Sequence, residues 1–167
     1  MKILFIQPPH KGEKTERTPN FLPLGLGYLA SILRENGHEV SILDIWGLSL
    51  NIKQVMDILK ATPVDLYGIS ALSTQWSYVE WFTTSIKSIN NKPIILGGPL
   101  ATFSYNDVLE KIDVDICVLG EGERTFLDLV NYFGNGGLLE SIQGIAYWVG
   151  EEVYLTEPRD YINDLDA

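Results

Sequence analysis

Short apolar runs alternate along this chain with segments whose apolar residues recur at helical spacing, and the switches fall at prolines, glycines and polar clusters. Lys2 to Ile6 reads as a buried strand, closed by Pro8-Pro9 because proline cannot donate to a ladder. A polar loop from His10 to Leu22 follows. Pro23 suits the first turn of a helix, which runs to about Asn36 with Gly37 as its stop. Glu39 to Ile45 is a second strand. Ile52, Val55, Met56 and Leu59 then follow i, i+3, i+4, i+7, the stripe of an amphipathic helix. Leu66 to Ser70 is a third strand, short and buried. Tyr78, Trp81, Phe82, Ile86 and Ile89 form an aromatic-rich helical stripe, read as packing against a sheet. Strands at Ile94 to Leu96 and Ile116 to Leu119 continue the alternation, with helices around Asn106 to Lys111 and from Arg124 to Phe133. Gly144 to Val149 and Val153 to Thr156, joined through Gly150-Glu151-Glu152, read as a hairpin.

Five strands alternating with helices imply parallel βαβ units and a sheet covered on both faces. Right-handed crossovers leave few topologies, and the expected fold is α/β: a flavodoxin-like, Rossmann-like, doubly wound parallel five-stranded sheet in three α/β/α layers, with a C-terminal β-hairpin. The expected organisation is a core domain over 1–140, a hairpin over 141–157 extending it, and a linker over 158–167 towards further protein. The tail Asp160-Tyr161-Ile162-Asn163-Asp164-Leu165-Asp166-Ala167 completes no element of its own.

Composition removes several function classes. With 167 residues, 46% hydrophobic and 20% charged, the chain reads as one ordinary globular domain. Its net charge of −10 argues against nucleic acid as a partner, since phosphates are bound by clustered Lys and Arg. A single cysteine, Cys117, builds no disulfide framework, zinc site or iron–sulfur cluster, and is read as a small buried hydrophobe. Ile3-Leu4-Phe5-Ile6 is too short for a signal-peptide core, and no apolar run approaches a membrane span, so the expected location is the cytoplasm without membrane contact.

The candidate chemistry lies where strands should end. Gly97-Gly98-Pro99 follows Ile94-Ile95-Leu96, and Gly120-Glu121-Gly122-Glu123 follows Ile116 to Leu119. Ligands of open α/β sheets bind outside the carboxyl ends of the strands, so two glycine-rich loops there describe a ligand platform. A competing signature is Gly25-Leu26-Gly27-Tyr28-Leu29-Ala30, which fits a dinucleotide fingerprint with Asp44 at about the expected distance. That mechanism needs the first glycine in the turn directly after the first strand, whereas here the glycines follow Pro23 inside a helix. They are read instead as small residues allowing close approach to the sheet or to a bulky ligand.

Taken in order, Gln7-Pro8-Pro9, Leu22 to Ala30, Gly37-His38-Glu39-Val40 with Asp44, Gly68-Ile69-Ser70, Ser73-Thr74-Gln75, Gly97-Gly98-Pro99 with Ala101-Thr102, and Gly120 to Glu123 with Thr125 carry a resemblance over nearly the whole chain. The chain resembles the N-terminal cobalamin-binding (B12-binding) domain of cobalamin-dependent radical SAM proteins, the iron–sulfur oxidoreductase and methyltransferase group. The resemblance implies cobalamin as cofactor and partner, bound at the carboxyl edge of the sheet, and a C-terminal radical SAM domain carrying a 4Fe-4S cluster and S-adenosylmethionine in the parent protein. The three-cysteine cluster motif of that domain is absent from these 167 residues, so no residue here is assigned a catalytic or metal-ligating role.

By the same resemblance, Pro8, Pro9, Ser70, Leu72, Ser73, Thr74, Gln75, Gly97, Gly98, Pro99, Gly120, Glu121, Gly122 and Glu123 are the expected cofactor-binding residues. Helix capping is the competing role for Ser70, Ser73 and Thr74, and for Glu121 and Glu123 at a helix start. The Asp-x-His-x-x-Gly motif that places a histidine under cobalt in other carriers is missing. Cobalamin is therefore expected with its tail base off the metal and no histidine below it. His10 is read as an exposed loop residue, and His38 as a cation at a helix end. The alternatives are a degenerate docking domain that binds no cofactor, and a nucleotide-dependent oxidoreductase domain.

Overall fold

The buried runs pair as strands because each satisfies its backbone only against a neighbour. In the computed structural model, which describes residues 1–9 and 22–160, β1 (Lys2–Gln7), β2 (Glu39–Asp44), β3 (Leu66–Ser70), β4 (Ile94–Gly97) and β5 (Ile116–Val118) are all parallel, in the order β2-β1-β3-β4-β5. This is the flavodoxin-like order, with the switch point between β1 and β3. β6 (Ile145–Val149) and β7 (Glu152–Leu155) form the expected hairpin, and β6 pairs antiparallel with β5 through Val118 and Ile145. The hairpin thus lengthens the same sheet to seven strands.

Helices α1 (Leu24–Glu35), α2 (Ile52–Ala61), α3 (Trp76–Ile89), α4 (Pro99–Lys111) and α5 (Glu123–Asn135) cover both faces. Local chemistry sets their ends. The Asn51 side chain accepts from the Gln54 N–H while the Gln54 side chain accepts from the Asn51 N–H, a capping box that starts α2. Past the end of α1, Gly37 adopts φ +82°, and the Gly37 and His38 N–H groups donate to Arg34 and Leu33. Pro99 at the first turn starts α4 well before the expected Asn106. The helix is kinked at Ser104 (φ −141°), and its first half has no regular apolar stripe, which hid it from a period count.

Strand alternation divides the core in two. Leu4, Ile6, Tyr67, Ile69, Ile94, Leu96 and Cys117 belong to the core under α2, α3 and α4, with Leu59, Val79, Phe82, Ile86 and Val108. The aromatic stripe on α3 packs there as expected. Ile3, Phe5, Leu66, Ile95, Ile116 and Val118 belong to the core under α1 and α5, with Leu26, Ala30, Leu33, Phe126 and Leu129. The loop containing His10 and the tail Asp164-Leu165-Asp166 lie outside the described residues.

Candidate functional site

The site begins with an interruption in that alternation. Towards the carboxyl edge, the positions facing α1 and α5 are Phe5 on β1, Gly68 and Ser70 on β3, Gly97 on β4 and Val118 on β5. Two glycines and a serine therefore stand where the opposite face carries Ile69 and Leu96. With little side-chain volume there, α1 and α5 span a cleft of about 180 Å³ rather than a filled core. Phe5 and Phe126 form its inner wall, with ring centroids 4.9 Å apart and planes inclined by 55°. They occupy the space that a side chain on β3 would need: a Cβ at Gly68 would stand 2.5 Å from Phe5 Cδ1 and 3.0 Å from Phe126 Cζ. Gly25, Leu26 and Leu29 of α1 close one side, and Gly120 to Glu123 close the other.

Three glycines show bare backbone to this cleft. A Cβ built at Gly25, Gly97 or Gly120 would meet nothing within 4 Å, but Gly120 has φ +72°, so only Gly25 and Gly97 could carry a side chain without backbone strain, by filling open space beside the cleft. Gly98 is different. Its φ of +82° lies in the left-handed region, and a Cβ there would meet the Ala71 carbonyl oxygen at 3.0 Å. The Ala71 N–H donates to Gly97 and the Leu100 N–H donates to Ala71, so Gly98 permits the loops after β3 and β4 to lock together. The Gly120 N–H donates to the Thr102 hydroxyl at 3.0 Å, tying the third loop to α4.

Seven of the fourteen expected site residues line the cleft: Ser70, Gly97, Gly98, Gly120, Glu121, Gly122 and Glu123. Leu72 and Pro99, with Ser70, border a neighbouring shelf of about 200 Å³ beside Gln7, Leu22, Pro23, Asp44 and Trp46. Pro9 lies on an apolar groove between α2 and α3, with Ile45, Ile52, Tyr78 and Trp81. Ser73 and Thr74 sit exposed on a 3-10 turn (Ser73–Gln75), and neither that turn nor α3 has a side-chain cap, so the capping role weighed for them is not used.

Gln75 is held inside the fold. Its side chain is fully buried; it accepts from the Leu72 N–H at 2.8 Å and donates to the carbonyls of Pro8 and Pro9 at 2.9 and 3.1 Å. Gln75 thus braces the loop after β1 against the loop after β3. Pro8 contributes its carbonyl to the same brace.

The cleft also uses residues outside the expected cofactor-binding set: Phe5, Gly25, Leu26, Leu29, Gly68, Ile69, Val118 and Phe126. Gly68 was the available signal, since a lone glycine inside an apolar strand marks close approach of another group. The dinucleotide reading of Gly25 and Gly27 fails on geometry. Both lie in the first turns of α1, separated from β1 by residues 8–23, and Asp44 Oδ1 accepts from the Gly47 N–H at 2.8 Å in the turn after β2.

Electrostatics near the edge are spare. Glu123 opens α5, where the helix dipole favours a carboxylate, yet its Oε2 is buried with no partner among the described residues. Leu22, Leu24, Leu72 and Phe103 are exposed around the carboxyl edge and give it apolar patches beside the exposed Ser73, Thr74 and Glu121. His38 lies at the opposite end of the sheet, where its Nδ1 is 3.3 Å from the Met1 amino group. Burial first, then that ammonium, lowers its pKa, so the expected cation at the helix end is disfavoured. His38 is on the wrong edge to reach the cleft.

A cleft over the switch point, with glycine-bared strands and two loops locked at its rim, is matched by one family model. The model described as the B12 binding domain matches residues 15–130. The chain belongs to the B12-binding domain family. An uncharacterised methyltransferase of Pyrococcus horikoshii is 35% identical over 99% of this chain and 37% of its own length. The anaerobic magnesium-protoporphyrin IX monomethyl ester cyclase of Synechocystis is 30% identical over the whole chain and 34% of its own. This B12-binding domain thus spans about a third of those relatives.

Among solved structures, the fold matches the radical S-adenosylmethionine methyltransferase TsrM from Kitasatospora setae, with cobalamin and a [4Fe-4S] cluster bound. The TM-score is 0.79 at 19% identity, over 98% of this chain and 30% of that one. It also matches the cobalamin-dependent S-adenosylmethionine radical enzyme OxsB with aqua-cobalamin and S-adenosylmethionine bound (TM-score 0.77, 22% identity, 96% and 22% covered). The residues present fit a corrinoid: bare backbone at three strand-end or helix-start glycines, an aromatic wall, apolar patches at the rim and one buried carboxylate oxygen awaiting a donor. Among the described residues no helix is long and apolar enough to cross a membrane.

Proposed function

We propose that this domain holds cobalamin base-off, with the corrin ring across the carboxyl edge of the sheet and the nucleotide tail in the α1–α5 cleft. The carrying observation is the cleft itself. A corrin is too broad for about 180 Å³, whereas a flat base entering edge-on needs a narrow slot with an aromatic wall, which Phe5 and Phe126 provide. Gly97 and Gly120 let the main chain approach the tail without side-chain collision, and the Ser70 hydroxyl offers a hydrogen bond at the cleft's mouth. The exposed leucines at positions 22, 24 and 72 and Phe103 supply apolar support for the ring.

When bound, cobalamin supplies a metal that carries a methyl group between donors and acceptors. This chain's residues position it, shield it from water on the sheet side and leave cobalt without a histidine ligand. The names of the relatives support a parent enzyme of methyltransferase type, in which residues 158–167 lead to a radical SAM domain holding a 4Fe-4S cluster and S-adenosylmethionine; a cytoplasmic location stays the expectation from the sequence. In that arrangement residues 1–140 are the cofactor module and 141–157 extend its sheet.

The test is to mix the protein with hydroxocobalamin, desalt it and record the visible spectrum. Corrin absorbance retained near one equivalent, with a base-off shape, is the expected result, and it should survive His10→Ala. A colourless protein would leave a docking domain with an inherited fold. A base-on spectrum would remove the tail from the cleft, and a histidine-ligated one would overturn the absence of a histidine below cobalt while leaving the tail free to enter.

A further inference from the structure

The cleft contains one group that the fold leaves unsatisfied. Glu123 Oε2 is buried and has no hydrogen-bond partner among the described residues. Most of the surrounding wall offers it nothing, since Phe5, Leu26, Leu29, Val118 and Phe126 have no polar side-chain atoms. A buried carboxylate oxygen loses its hydration, so leaving it unmatched is costly unless a ligand provides a donor. Helix capping does not account for it: Glu123 is the first residue of α5, the preceding Gly122 makes no side-chain cap, and the oxygen accepts from no backbone N–H of that turn.

The chemistry of that donor is restricted. A carboxylate is acceptor-only when ionised, so its partner carries an O–H or N–H and is not itself an anion. Resting on the cobalamin reading above, the candidates on the ligand divide cleanly. The phosphodiester is excluded by like charge. The glycosylated benzimidazole has no N–H. The ribose of the tail has free hydroxyls, and the ring's side-chain amides also carry N–H groups but lie on the broad corrin that the cleft cannot admit. We propose that Glu123 accepts a hydrogen bond from a ribose hydroxyl of the nucleotide tail, and so makes the domain selective for complete cobalamins over cobinamides, which lack that tail.

The experiment compares hydroxocobalamin with diaquocobinamide on the wild-type chain, on Glu123→Gln and on Glu123→Ala. Affinity is read from corrin absorbance, and melting of the ligand-free proteins is recorded alongside. A hydrogen bond to a charged acceptor predicts a loss of about ten- to hundredfold in cobalamin affinity for Glu123→Ala, with Glu123→Gln between the two. Cobinamide affinity should stay within about twofold in all three, because that ligand never reaches the cleft. Ligand-free Glu123→Ala should melt no lower than wild type, since it removes an unmatched buried oxygen, and ligand-free Glu123→Gln, which replaces a charged group by a neutral one of the same shape, should stay close to wild type.

Equal losses for both corrinoids would overturn the proposal, by placing the partner of Glu123 on the ring or in the fold. So would unchanged cobalamin affinity, or a lowered melting temperature that accounts for the loss. Failure of the wild type to retain either corrinoid would instead refute the cobalamin reading on which the proposal stands.

Discussion

Beneath α2, α3 and α4 the carboxyl ends of the strands present Ile6, Ile69, Leu96 and Cys117; beneath α1 and α5 the same strands present Phe5, Gly68, Gly97 and Val118. The first face carries large side chains up to the edge of the sheet, and its groove lies between α2 and α3 rather than over bare strands. The second keeps its core at the amino end, with Ile3, Leu33 and Leu66, and opens towards the carboxyl end. Period-two alternation lets one set of strands build both, so a cleft can be introduced on one face by two glycines without loosening the other. A binding site made this way is a local omission of volume in a scaffold whose stability comes from elsewhere.

The largest test of this asymmetry is a matched pair of truncations. Leu59 on α2 and Leu26 on α1 are both buried, at 1% and 3% exposure, but only Leu26 lines the cleft. Leu59→Ala leaves a closed cavity and should cost about 3–5 kcal/mol in urea unfolding, whereas Leu26→Ala, which merely widens an existing opening, should cost about 2–3. Cobalamin affinity should fall for Leu26→Ala and hold for the folded fraction of Leu59→Ala. Equal stability losses would mean that the α1–α5 side is as tightly filled as the other.

A finer test lies in adjacent glycines of one loop. Gly98→Ala forces a side chain into φ +82° and to within 3.0 Å of the Ala71 carbonyl, so it should destabilise by about 1–3 kcal/mol. Gly97→Ala meets nothing within 4 Å, and its stability change should stay within about 0.5 kcal/mol. Its new methyl would occupy cleft space, and cobalamin affinity should drop by about tenfold or more. A Gly97→Ala protein that binds normally would move the ligand off the floor of the cleft. The expected outcome is that one glycine serves stability and its neighbour serves binding.

That difference explains what could be read from residues alone. The alternation of strand and helix, the hairpin and the loops at the carboxyl edge follow from periodicity and from glycine and proline placement, all of which are local. The cleft is not local. Phe5 and Phe126 are far apart in sequence and meet only because β1 and α5 pack on one face, so no motif announces them. Gln75 is a related case: a polar residue in a ligand-facing loop reads as a contact, and only its burial against the Pro8 and Pro9 carbonyls shows that it braces the loops. The early start of α4 was hidden because its first half lacks a regular apolar stripe.

The smallest expected effect concerns the first face, where the prediction is for nothing to happen. Cys117 on β5 is fully buried, and burial pushes its thiol from 9.0 up to about 12. At pH 8 the thiolate fraction is then about one in ten thousand, and the sulfur has no route to solvent while the fold holds. A thiol reagent should leave the native protein unlabelled, with or without cobalamin, and react rapidly in urea. The same shift sets a sign for alkaline pH. The folded state keeps the proton that the unfolded chain loses first, so this contribution to stability is complete below pH 9.0 and is lost as pH rises towards about 12. Labelling of the native protein that cobalamin suppresses would break the comparison, because it would show that opening at the cleft reaches through the sheet to the opposite core. Labelling indifferent to cobalamin and seen only on unfolding would mean that the two faces respond to the ligand independently.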